Sequence, residues 1–198
     1  MSEIPAKLVQ ELRGRTGVGM MECKRALQEA SGDVEEAVKI LRKSGAAKAE
    51  KRSGRATGEG RIASYIHAGD KIGVLVEINC ETDFVARTEQ FVRLGRDIAM
   101  HVAASNPRFV SRDEVDEAVL AQEREIYRAL ALKDGKAPAV VEKVVEGRVE
   151  KFYQDACLLE QPFVKNPDLT VKKLVEEAVA TLGENIQIRR FVRLSIGE

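Results

Sequence analysis

Apolar residues at helical spacing open the chain. Ile4, Leu8 and Leu12 recur every four residues, and Pro5 is tolerated in a first helical turn. Thr16-Gly17-Val18-Gly19 breaks that pattern. Met20, Cys23, Leu27 and Ala30 then form a second face, closed by Ser31-Gly32. Asp33 with Glu36 makes an aspartate version of the capping box for a third helix. Its face is Val34, Ala37, Val38 and Leu41, with Gly45 as its C-terminal cap. Core formers are missing from 46–60, which reads as a linker, partly helical through its Ala/Lys stretch.

The period then changes to two. RIASYIHA (61–68) and KIGVLVEIN (71–79) flank Gly69-Asp70, a hairpin turn signal, and Ile72, Val74, Val76 and Ile78 share one face of the second strand. The third strand waits until 186–196, where Ile186, Ile188, Val192, Leu194 and Ile196 are expected on one face, with Arg190 interrupting it. Between these strands the pattern is helical. Phe91, Leu94, Ile98 and Val102 make one stripe, and Val115, Val119, Ile126 and Leu130 make another. Lys133-Asp134-Gly135-Lys136 turns the chain into 138–159, so about 111–159 predicts an antiparallel helical hairpin. Val171, Leu174, Val175, Ala178 and Leu182 form a last helix, ended by Gly183. The sum is an α+β fold: a three-helix domain over 1–45, a linker over 46–60, and a core over 61–198. That core holds an antiparallel three-stranded sheet packed by helices.

Composition narrows the function classes. The 198 residues balance 32 basic against 32 acidic side chains, so no global field points to nucleic acid or membrane. No window of 18 apolar residues and no signal-like start is present, and three scattered cysteines without a CxxC pair fit a reducing cytosol. A cytoplasmic location is expected. A three-helix unit this small lies near the lower limit for independent folding, which makes docking onto a partner credible.

Catalytic motifs are scarce. The two histidines, His67 and His101, sit in no HExxH or His-x-His arrangement, and there is no phosphate loop and no GxSxG elbow. The chain is therefore not expected to be an enzyme, nor to carry a metal or cofactor. A small hydrolase using His67 or His101 with Cys80 or a serine is the weakest reading. An RNA- or ribosome-binding accessory factor is a stronger alternative. Residues 42–61 carry seven basic residues against two acidic, although no aromatics are interleaved for base stacking.

One stretch asks a sharper question. NCETDFVAR (79–87) lies at a strand-to-helix junction. On local physics, Thr82 or Asp83 caps the following helix and Phe84 packs beneath it. Longer matches change that reading. LRGRTGVGMMECKRALQEASGDVEEAVKILRKSG (12–45), EINCETDFVARTEQF (77–91), EGRVEKFYQDACLLEQPFV (146–164) and GENIQIRRFVRLSIGE (183–198) resemble, in order, the bacterial elongation factor Ts family. The resemblance implies an N-terminal domain like ubiquitin-associated domains, a linker and an α+β core. It implies guanine-nucleotide exchange on elongation factor Tu. The matching TDFV positions, Thr82, Asp83, Phe84 and Val85, would help dislodge Mg²⁺ from that GTPase, and Met20, Met21 and Lys24 match the family's N-terminal contact region. With only one set of sheet strands, this chain is similar to short members, which implies a homodimer; a twofold arrangement could pair exposed sheet edges. Under this reading no direct nucleic-acid contact is required, and Phe84 is displayed for a partner.

Overall fold

The computed structural model describes residues 4–197. Eight helices and five strands follow one another. The helices are α1 (Ala6–Thr16), α2 (Met20–Glu29), α3 (Val34–Arg52), α4 (Asp83–Ala86), α5 (Glu89–Ser105), α6 (Glu117–Lys133), α7 (Pro138–Ala156) and α8 (Val171–Leu182). The strands are β1 (Glu59–Ile66), β2 (Ile72–Cys80), β3 (Pro162–Phe163), β4 (Asn166–Thr170) and β5 (Ile186–Ser195). The fold class is the expected α+β. Contacts group the chain into two compact units. One holds residues up to Ile62 with Glu77–Gly95 and Lys173–Ile188; the other holds Ala63–Val76, Arg96–Lys172 and the chain from Arg189 on.

In the first unit, α1, α2 and α3 enclose Val9, Leu12, Val18, Cys23, Ala26, Leu27, Ala37 and Leu41. These are largely the apolar faces read from the sequence. Asp33 Oδ1 accepts the Glu36 amide at 2.9 Å, so the N-cap forms. The reciprocal half of the box does not: Glu36 pairs with Lys39, and the Asp33 amide donates to the Ala30 carbonyl.

Gly45 is not a cap. Helix α3 continues to Arg52, because Ala46 to Arg52 are nearly all strong helix formers. A Cβ on Gly45 would lie 3.2 Å from the Ala180 Cβ of α8, so glycine there permits close helix packing. Arg42 pairs with Glu177 at 3.2 Å, and Arg52 donates to the Val179 carbonyl at 3.3 Å. Half of the expected linker is therefore docked helix.

The antiparallel sheet has the order β1-β2-β5. At the β1–β2 turn the His67 amide donates to the Ile72 carbonyl, with Gly69 and Asp70 both at positive φ. Gly60 has φ of 150°, and a Cβ on it would sit 2.2 Å from the Ile78 carbonyl oxygen. Only glycine fits that crossing. Val74, Val76, Ile78 and Cys80 are buried, as the alternation in β2 predicts.

Strand β5 departs from expectation. Ile186 and Ile188 are buried, but Val192, Leu194 and Ile196 are 54, 70 and 75% exposed. The alternation slips by one residue at Arg189-Arg190, which are both exposed, and Phe191, Arg193 and Ser195 turn inward instead. An extra residue in a strand produces such a slip. It also keeps Arg190 off the buried apolar face.

In the second unit, α6 and α7 form the expected hairpin around Leu120, Ala131, Val141, Val145, Val149, Phe152 and Ala156. Val115 and Val119 join this core as expected, but further along α6 the seam is one residue off: Ile126 and Leu130 face solvent, while Tyr127 and the fully buried Ala131 pack in the hairpin core. Two helices bury only a narrow strip of each other, and a small residue in that strip lets them approach. Among the described residues no helix is long and apolar enough to cross a membrane.

Candidate functional site

Helix α4 is a single turn of four residues, too short to hold itself in water. Its N-cap is Thr82, whose Oγ1 accepts the Val85 amide at 3.4 Å. The same hydroxyl donates to Glu184 Oε1 at 2.6 Å, and the amides of Glu81 and Thr82 donate to Glu184 Oε2 at 3.1 and 3.0 Å. The reverse bond closes the pair of segments: the Asn185 amide donates to Glu81 Oε1 at 2.6 Å. A third segment joins through Asn185 Nδ2, which donates to the carbonyls of Ser53 and Arg55, and through the Arg55–Glu81 ion pair at 3.4 Å. Cys80 donates its thiol to the Thr82 carbonyl; burial, and next the nearby Glu184 charge, push that thiol's pKa up.

What this framework carries is Phe84, 79% exposed. The local expectation that Phe84 packs under the next helix is not met. That helix, α5, has its own start: the Phe91 amide donates to Thr88 Oγ1, and Thr88 donates to the Val85 carbonyl. Asp83 is held by Arg87 at 2.8 Å, Val85 is half-buried, and Ala86 is buried, which anchors the back of the turn.

Met20, Met21 and Lys24 lie on the first turns of α2, in the same compact unit as the 82–85 turn. Met21 is 70% exposed, Met20 less so, and Lys24 is exposed. Met20 and Met21 are unbranched thioethers, side chains that adapt to irregular contact surfaces. The sequence reading missed Glu184 and Asn185 as site residues. Both stand in the quoted GENIQ stretch, directly after Gly183 ends α8 at φ of 82°.

The remaining candidates are committed elsewhere. His101 is fully buried: its Nδ1 accepts the Val164 amide at 3.1 Å, and its Nε2 bonds Gln161 Oε1 at 2.9 Å, which fixes the Nε2–H tautomer. Burial holds its pKa below the usual value. His67 is exposed at the β1–β2 turn beside the Tyr65 hydroxyl. Neither imidazole is bonded to a nucleophile's thiol. Of the seven basic residues in 42–61, Lys48 bonds Glu22 at 2.6 Å, and Arg42, Arg52 and Arg55 are engaged as described above. The charge available to a nucleic acid is correspondingly smaller. Among the described residues, no group of three or more His, Cys, Asp or Glu could hold a metal ion.

Comparison with known proteins covers all of these features at once. The family model described as elongation factor TS matches residues 6–198. The chain is 60% identical over 195 residues to elongation factor Ts of Carboxydothermus hydrogenoformans, covering 98% of this chain and 90% of that protein. It is 57% identical over 196 residues to elongation factor Ts of Fervidobacterium nodosum, covering 99% of this chain and all of that one. Against elongation factor Ts of Thermosipho melanesiensis it is 56% identical over 195 residues, 98% of this chain and all of the relative. The matches run through the three-helix segment, the 82–86 turn and the GENIQ strand alike, and on that basis the chain belongs to the elongation factor Ts family of translation elongation factors.

Proposed function

We propose that this chain is a guanine-nucleotide exchange factor for elongation factor Tu and that Phe84 is its wedge. The supporting observation is the exposure of Phe84 on a turn whose backbone is tied to Glu184. An apolar ring held in water on a short fixed turn gains free energy only by entering a partner. In this reading α2 grips the GTPase through Met20, Met21 and Lys24. Thr82, Asp83, Phe84 and Val85 enter beside its nucleotide site, where Phe84 displaces groups that order a Mg²⁺ demanding near-octahedral ligation. The switch segments relax when metal contacts are lost, and GDP leaves.

This is linkage and not covalent catalysis. Each tenfold loss of GDP affinity on complex formation corresponds to about 1.4 kcal/mol of coupling, and GDP weakens factor binding equally. The factor makes and breaks no covalent bond and acts in the cytoplasm, where translation runs. The test is stopped-flow release of fluorescent GDP from elongation factor Tu in excess unlabelled GDP. Wild type is expected to accelerate release, with Phe84→Ala slower at equal fold content. Release unchanged by saturating wild type sinks the assignment.

The homodimer belongs to the same proposal, with its surface revised from sheet edge to sheet face. In the second unit Ile66, Leu75, Val192, Leu194 and Ile196 are all more than half exposed. Ile66 lies across from Gly73, Leu75 points away from the buried Val74 and Val76, and Arg193 on the opposite side of β5 donates to the Ala103 carbonyl of α5. These five side chains thus share the face turned from the helix. Two copies packed face to face would bury it, each side chain contributing about 1.5–3 kcal/mol on full burial. Cys23, Cys80 and Cys157 are all 0% exposed, so such a dimer is non-covalent. Sedimentation equilibrium should show a wild-type dimer and a Leu194→Asp monomer; a wild-type monomer at all concentrations refutes the dimer alone.

A further inference from the structure

We propose that Glu184 is a positioning residue for exchange: its carboxylate fixes the direction in which Phe84 points. The inference rests on the exchange reading above and concerns how the wedge is held.

The need for such a residue follows from the size of α4. Four residues make one turn, and a lone turn fixes several dihedral angles for very few hydrogen bonds. Phe84 cannot anchor the turn, since its ring lies in solvent. The internal cap is weak, with 3.4 Å between the Val85 amide and Thr82 Oγ1. The buried Ala86 holds the back of the turn, and its N-terminal end, where Thr82 caps it, is held from another part of the chain. Glu184, 102 residues downstream of Thr82, supplies that hold. One carboxylate oxygen takes the Thr82 hydroxyl at 2.6 Å; the other takes two consecutive amides at 3.1 and 3.0 Å. All three partners donate, and an ionised carboxylate accepts every one of them. Charge-assisted bonds of this kind are about twice as strong as neutral ones.

The surroundings place that carboxylate in turn. Gly183 ends α8 in the left-handed region and delivers Glu184 directly to the turn. Asn185 returns a bond to Glu81 and binds the Ser53 and Arg55 carbonyls, so Glu184 has a fixed neighbour on its C-terminal side. A pre-ordered turn spares the wedge the entropy of ordering when it meets the partner. Losing the clasp should therefore lower the rate reached at saturation. The half-saturating concentration, set largely by the α2 patch, should change little.

The experiment measures fluorescent-GDP release from elongation factor Tu against factor concentration for wild type, Glu184→Ala, Phe84→Ala and the double variant. Glu184→Ala is expected to lower the maximal rate about tenfold, the equivalent of 1.4 kcal/mol, at nearly unchanged half-saturation. In the Phe84→Ala background the same substitution should have no further effect, because the group it directs is gone. Thr82→Val, which removes only the hydroxyl donor, should show a smaller loss of the same kind and covers the case in which Glu184→Ala folds poorly. Glu184→Gln has one strong acceptor for three donors and should fall between wild type and alanine. Equal slowing in both backgrounds makes Glu184 a merely structural residue and overturns the proposal. So does a wild-type maximal rate in both Glu184→Ala and Thr82→Val when Phe84→Ala is slow. If wild type itself fails to accelerate release, the exchange reading fails first and this inference falls with it.

Discussion

The turn at 82–86 and helix α5 are adjacent in sequence and placed by opposite physics. On α5, Phe91, Leu94, Ile98 and Val102 are buried, and even the polar His101 is sealed in, with both ring nitrogens bonded. Phe91 is 1% exposed, whereas Phe84, seven residues earlier, is 79% exposed. Burial fixes Phe91 through dispersion and the loss of apolar surface from water. Phe84 has no such packing; its turn is held from beneath, by the buried Ala86 and by polar bonds to a distant carboxylate. The lesson is that an apolar side chain can stand in solvent on a turn whose backbone hydrogen bonds are completed from elsewhere in the chain.

Substitutions test how deep that contrast runs. Phe91→Ala should have the largest effect, costing about 3–5 kcal/mol in urea unfolding, because a buried aromatic leaves a cavity. A cost near zero would remove the contrast. Gln161→Leu comes next. It strips the partner from His101 Nε2 and frees the Ser105 and Asp155 carbonyls that Gln161 Nε2 now bonds, for about 1–3 kcal/mol.

The third test is pH. Burial lowers the folded-state pKa of His101 below the ordinary 6.5, so the unfolded chain binds the extra proton first. The contribution is fully present above pH 6.5. It is lost progressively as pH falls through the window down to the folded-state pKa. Thermal melts from pH 7 downward should show that loss, and His101→Gln should flatten its upper part; parallel slopes would assign it to other groups. Smallest of all, Phe84→Ala should move stability by no more than about 0.5 kcal/mol, as exposed substitutions do. A larger drop in its urea midpoint would mean that Phe84 packs in solution after all.

The same contrast explains what the sequence revealed. The α5 stripe, the β2 alternation and the three N-terminal faces are local periodicities, and apart from the exposed Met20 each matches a buried or partly buried surface. Thr82 was recognisable as a cap because capping acts across three residues. Glu184 was not, since nothing local marks a carboxylate for amides 102 residues away. Gly45 looked like a helix end because its reason for being glycine, the Ala180 Cβ, lies on another helix. The slip at Arg189-Arg190 was foreshadowed by a charge on an apolar face, but alternation alone could not show that the strand would shift to accommodate it. In the hairpin, apolar Ile126 and Leu130 outcompeted Ala131 in a reading by hydrophobicity, whereas the packed seam selects for small size.

The sealed thiols carry a practical consequence. Cys23, Cys80 and Cys157 are buried, and burial pushes the Cys157 thiol up to about 11. Thiolate is the species that reacts with maleimides, so the folded protein should be nearly silent to them. A single cysteine introduced at an exposed position such as Met21 would then be the one fast-labelling site. The wild-type chain is in this sense already a blank background for a fluorophore, with no native cysteine to remove before its encounter with a partner is watched.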